Sequence, residues 1–140
     1  MLELKRGIVD IGEGVRQNIG NLQERFIKPF FATNQILFAG NDSEGLRYGT
    51  ISSPEKFYLS WKEDVEDSTR LLLDKYLIKM CSKERIIELI YDFIVFETGI
   101  KKLPRAHQYF GVKESQKYVN RNEGGIIWHT QGSGKSISMV

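Results

Sequence analysis

Hydrophobic positions change period once near the start of the chain. Leu2 and Leu4 alternate with Glu3 and Lys5, the spacing of a strand. Ile8, Ile11, Val15, Ile19, Leu22 and Phe26 then recur at steps of three and four, one face of a helix that Pro29 ends. Gly12, Gly14 and Gly20 each weaken that helix by up to ~1 kcal/mol against alanine, so tertiary packing must hold it. Gln35–Gly40 and Leu46–Ile51 read as strands joined through Asn41–Gly45, a hairpin with a five-residue loop, and Ser52-Ser53-Pro54 breaks the second. A helix is predicted from about Glu66 to Met80, carrying Leu72, Leu73, Tyr76 and Leu77. Another follows the N-cap Ser82 with Ile86, Ile87, Leu89, Ile90, Phe93 and Ile94; it is apolar over more than half its circumference and should be well buried.

Gly99-Ile100-Lys101-Lys102-Leu103-Pro104 combines breakers and paired lysines and is the expected boundary between two pieces, 1–98 and 99–140. Beyond it the pattern predicts a helix from Arg105 to Asn120, a polar turn at Asn122-Glu123-Gly124, and a short buried strand, Gly125-Ile126-Ile127-Trp128. The predicted class is α/β.

Composition narrows the picture only a little. A chain of 140 residues, 41% hydrophobic and 27% charged, is that of an ordinary globular protein, and a net charge of +2 neither marks nor excludes a nucleic-acid binder. The single cysteine, Cys81, excludes an intramolecular disulfide and suits a reducing cytoplasm; no His or carboxylate motif surrounds it, so it reads as a small apolar residue. No apolar run reaches membrane-spanning length and the N-terminus lacks a signal-peptide pattern, so no membrane association is expected.

The predicted strand 125–128 runs into Thr130-Gln131-Gly132-Ser133-Gly134-Lys135-Ser136. Glycines there let backbone N–H groups turn toward phosphate oxygens, the lysine adds a point charge, and the Ser136 hydroxyl is a hard ligand for Mg²⁺. The strict phosphate-loop pattern asks for Gly or Ala where His129 stands, but the shorter x-x-Gly-x-Gly-Lys-Ser form is met. His129 reads as structural. The short form resembles motif I of superfamily 2 helicases and translocases. That resemblance implies Arg105 and Gln108 upstream as nucleotide-site candidates, since such motors often carry a glutamine there whose amide donor and acceptor can read adenine. At the other end of the chain, Glu3 and Lys5 project from one face of a strand. A carboxylate beside an amine suits metal-dependent phosphodiester hydrolysis, the first holding Mg²⁺ and the second orienting water or steadying charge on phosphate.

These segments resemble the restriction (R) subunit of type I restriction–modification enzymes, which joins a PD-(D/E)xK-type nuclease domain to a superfamily 2 DNA translocase. The likeness rests on Glu3-Leu4-Lys5-Arg6, on Gln17 in the position of the family's Q-x-x-x-Y glutamine, on Arg47-Tyr48-Gly49-Thr50 with Tyr58 and Trp61, on His107-Gln108-Tyr109, and on Ile126 to Ser136. Asn21 stands where that element has its aromatic residue, and the family's catalytic aspartate would precede Glu3.

The resemblance implies the C-terminal part of a nuclease domain over 1–98. It implies the first helix, strand and phosphate loop of a RecA-like motor over 99–140. It implies Glu3, Lys5 and Gln17 as catalytic residues, and Thr130 to Ser136 with Gln108 and Arg105 at ATP. Mg²⁺ would be held at Glu3 and Ser136. Double-stranded DNA and the methylation and specificity subunits are the implied partners, in the cytoplasm. A full-length protein of this kind translocates DNA at the expense of ATP and cleaves it. The chain itself is expected to be an inactive fragment, lacking the aspartate strand and the later motor motifs. The alternatives are the N-terminal part of another superfamily 2 helicase, or a non-enzymatic nucleotide-binding remnant.

Overall fold

A computed structural model describes residues 1–23, 27–51, 53–63 and 69–139. The chain divides into two compact units, Met1–Leu103 and Pro104–Val140.

The first unit is built on a four-stranded sheet of order β1 (Leu2–Leu4), β2 (Leu37–Asn41), β3 (Gly45–Gly49) and β4 (Leu59–Ser60). β1 runs parallel to β2, pairing Leu2 with Phe38, Glu3 with Ala39 and Leu4 with Gly40, while the later pairs are antiparallel. The parallel step requires a crossover, and α1 (Ile11–Asn21) and α2 (Lys28–Phe31) lie within it. All five residues of β2 are buried because helices cover both sheet faces. α1 lies over the face of Glu3 and Ala39, where a Cβ on Gly14 would sit 3.3 Å from the Ala39 Cβ. On the opposite face stands α3 (Leu72–Met80), where a Cβ on Gly40 would be 2.4 Å from Leu73. Ile11, Val15, Phe31, Leu37, Ala39 and Tyr58 form the core under α1. Beside it Trp61 is fully buried against Tyr48, ring centroids 5.9 Å apart, and its indole donates to Glu63. Glu63 also pairs with Arg85 of α4 (Lys83–Asp92) at 2.7 Å, tying that helix to the sheet.

Several expectations change. α1 ends at Asn21 and Ile8 stands outside it, 92% exposed; Phe26 lies outside the described residues. Pro29 belongs to the first turn of α2, where its missing N–H costs nothing. The β2–β3 loop is shorter than five residues, since Asn41 and Gly45 themselves pair, Gly45 taking φ +89°. α3 begins at Leu72, after the non-helical Thr69–Leu71, and Glu66–Ser68 fall outside the described residues. α4 is a surface helix. It buries Leu89 but leaves Ile87 and Tyr91 exposed, because only one line of its side chains meets the rest of the unit. Its run stops before Phe93, and the chain turns into a hairpin of β5 (Val95–Glu97) and β6 (Ile100–Lys102). Thr98 and Gly99 both take positive φ there, the backbone of a two-residue hairpin turn.

In the second unit α5 (Ala106–Asn120) forms as expected, and Asn122 at φ 55° reverses the chain after it. The strand predicted at Gly125–Trp128 is not formed. Ile126 and Trp128 are 90% and 89% exposed, and no strand lies beside this segment among the described residues. A strand keeps its shape by pairing its backbone groups with a neighbour, and an apolar run without one stays irregular. A 3₁₀ helix, Lys135–Met139, follows the glycine loop.

Candidate functional site

In the first unit Glu3 of β1 and Lys5 just after it, whose N–H donates to the Gly40 carbonyl at 2.9 Å, reach the sheet face that α1 covers. The two side chains form an ion pair, Nζ to Oε1 3.2 Å, and are 18% and 22% exposed. Lys5 also donates to Oε1 of Gln17 on α1, so its ammonium sits between a carboxylate and an amide oxygen. Gly14, one turn before Gln17, lets the helix come close: a Cβ there would lie 3.5 Å from Lys5 Cγ and 3.7 Å from Glu3 Cγ.

The helix is held at two points. Asp10 caps its start, accepting from Gly12 N–H at 2.8 Å, and Glu44 accepts from Ile11 N–H at 2.9 Å. Further along, the buried Asn18 donates to the Phe38 carbonyl of β2 at 2.9 Å. Asp10 is therefore spent as a cap and faces Arg16 at 3.6 Å.

The arrangement presents one carboxylate to a hard cation and, beside it, a cation able to steady a phosphate oxygen. Among the described residues no group of three His, Cys, Asp or Glu gathers to hold a metal. Mg²⁺ typically keeps several waters and takes one or two carboxylates, so Glu3 fits as a single contributor. Asn18 and Glu44 set the position of α1, and sequence reasoning missed both. Their partners lie 20 and 33 residues away, with no local pattern to betray them.

The second unit gathers the glycine loop against the first turn of α5. Thr130 accepts from Ser133 N–H at 3.3 Å, closing a turn in which Gly132 and Gly134 take φ +77° and +84°. Gln108 is buried and both ends of its amide are engaged: Oε1 accepts from Arg105 N–H at 2.8 Å and Nε2 donates to the Gly134 carbonyl at 2.9 Å. It ties the loop to the start of α5 through one amide N–H and one oxygen lone pair. Arg105 occupies the N-cap position of α5 with an exposed side chain. His107 Nε2 lies 3.2 Å from the Ser133 carbonyl, a contact sequence reasoning did not foresee, and its ring is 5.5 Å from that of His129.

Lys135 is exposed and reaches back to the His129 carbonyl at 3.2 Å, while Ser136, Thr130 and Gln131 are open to solvent. The buried Ser133 hydroxyl has no hydrogen-bond partner among the described residues. Left-handed glycines, an accessible lysine and an accessible hydroxyl are the donor set a polyphosphate with Mg²⁺ requires. A cavity of about 480 Å³ lies beside the loop, lined by Gly111, Tyr118, Val119, Ile127, Trp128 and His129. No described helix is long and apolar enough to cross a membrane.

Comparison with known proteins adds relatives to this geometry. Residues 107–140 match the SWI2/SNF2 ATPase family model. The type I restriction enzyme HindI endonuclease subunit of Haemophilus influenzae is 34% identical over 132 residues, 81% of this chain and 12% of its own length. The type I restriction enzyme SauCOLORF180P endonuclease subunit of Staphylococcus aureus is 29% identical over 149 aligned positions, 98% of this chain and 15% of its own. A putative type I restriction enzyme endonuclease subunit of Methanocaldococcus jannaschii, MjaIXP, is 36% identical over 78 residues, 49% of this chain and 7% of its own. The chain thus spans 12% to 15% of the length of the first two relatives.

Proposed function

Because this chain belongs by homology to the family of type I restriction enzyme endonuclease subunits, we propose that its two units serve the two activities of such a subunit. The first unit contributes Glu3, Lys5 and Gln17 to a metal-dependent DNA-cleaving centre. The second contributes the phosphate loop of an ATP-driven DNA translocase. The partners are then double-stranded DNA and the methylation and specificity subunits.

The observation that carries the reading is the convergence of Glu3 from β1 and Gln17 from α1 on the ammonium group of Lys5. In the nuclease role Glu3 holds Mg²⁺, Lys5 orients water or steadies the scissile phosphate, and Gln17 fixes the lysine. In the motor role Lys135 meets the terminal phosphates and Ser136 holds the metal. Mg²⁺ when bound supplies Lewis-acid stabilisation of charge on phosphate.

The 140-residue chain by itself is proposed to bind nucleotide without turning it over and without cutting DNA. The observation that supports this is the segment 125–128 before the loop, which pairs with no strand among the described residues. The test is a titration with fluorescent ADP, in which Lys135→Ala is expected to weaken binding at least about tenfold, the loss of a charge-assisted contact. Equal affinity in the two chains would remove the phosphate-site reading. Mg²⁺-dependent nicking of supercoiled DNA that disappears with Lys5→Ala would overturn the inactivity of the chain while supporting the role of Lys5.

A further inference from the structure

We infer that His107 is a positioning residue for the phosphate loop: its imidazole, together with the Gln108 amide, turns two consecutive loop peptides so that their N–H groups face a bound anion. The inference rests on reading 130–136 as a phosphate site.

The two side chains are neighbours in the first turn of α5, and their targets are neighbours in the loop. His107 Nε2 meets the Ser133 carbonyl at 3.2 Å and Gln108 Nε2 meets the Gly134 carbonyl at 2.9 Å. A carbonyl can only accept, so His107 must carry its proton on Nε2. In a planar trans peptide the C=O and the following N–H point in opposite directions, and no cis peptide occurs among the described residues. Holding the carbonyls of Ser133 and Gly134 toward α5 therefore turns the N–H groups of Gly134 and Lys135 away from the helix. Successive N–H groups turned to one side form an anion-binding concavity.

Gly134 makes the arrangement possible. It takes φ +84°, and a Cβ there would lie 2.6 Å from the Gln108 nitrogen. Gln108 is anchored in turn, because its oxygen accepts from Arg105 N–H at 2.8 Å. His107 is the exposed member of the pair and is held beside the His129 ring, 5.5 Å between centroids.

The experiment measures the affinities of ADP and of inorganic pyrophosphate for the 140-residue chain and its H107F, H107Q and K135A variants, with unliganded melting temperatures alongside. His107→Phe keeps the ring volume and removes the donor. It is expected to weaken both ligands about three- to tenfold without moving the melting temperature. His107→Gln restores an N–H donor and is expected to return affinity to within about twofold of the original chain. Two results would overturn the inference alone: unchanged affinity in H107F while K135A loses binding, or a loss in H107Q as large as in H107F. Absence of binding by the unsubstituted chain, or equal binding by K135A, would instead remove the phosphate site on which the inference depends.

Discussion

At the scale of single residues, burial sets several properties that charge alone would not. Tyr58 packs its ring against Gly49, where a Cβ would lie 3.1 Å from it, and its buried hydroxyl has no partner among the described residues. Burial disfavours the phenolate and pushes its pKa up to about 12 from 10.0. The folded state therefore holds the proton more tightly than the unfolded state. The corresponding stability is fully present below pH 10 and is lost as the pH rises through about 12. Tyr58→Phe should abolish the loss over that window in urea unfolding. It should also leave the protein as stable or about 1 kcal/mol more stable at neutral pH, since it deletes an unsatisfied hydroxyl. The Cys81 thiol, although the residue is exposed, is also raised by partial desolvation.

At the scale of elements, what could be read from the sequence was whatever is decided locally. β1 announced itself by alternation, α1 by its three-four spacing, and α4 by Ser82 in the N-cap position. The breaks came where a neighbour decides. Gly125–Trp128 has the composition of a buried strand but no partner strand among the described residues, so its apolar side chains stand in solvent. The β5–β6 hairpin was hidden because Thr98-Gly99 reads as linker until both residues are seen to take positive φ. α4 looked central because apolar spacing reports how much surface could be covered, not how much is.

The same division runs through the candidate sites. Glu3 and Lys5 are brought together by the period of one strand, whereas the grip of Gln108 and His107 on the loop spans 26 residues. The cap on α1 is a test of element-level control. Asp10→Ala removes the acceptor for Gly12 N–H and should cost about 1 kcal/mol. Amide exchange should then accelerate in the first turn of α1 while β2 and β3 keep their protection.

At the scale of the whole molecule, the two units differ in what protects them. The first buries a sheet between helices, with β2 covered on both faces, while the second packs a single long helix against a loop. Hydrogen exchange should find its slowest amides in β2 and β3 and its fastest in 123–130, where no regular structure forms. Slow exchange across 123–130 would mean that the segment is paired in solution.

The chain contains two tryptophans, Trp61 fully enclosed in the first unit and Trp128 at 89% exposure in the second. Each unit thus carries its own built-in optical reporter. Trp61 should emit in the blue and resist acrylamide, whereas Trp128 should emit near the wavelength of free indole and be quenched readily. Unmixing the two emission bands during a melt, or during addition of a polyphosphate, would let either half be followed without attaching a dye.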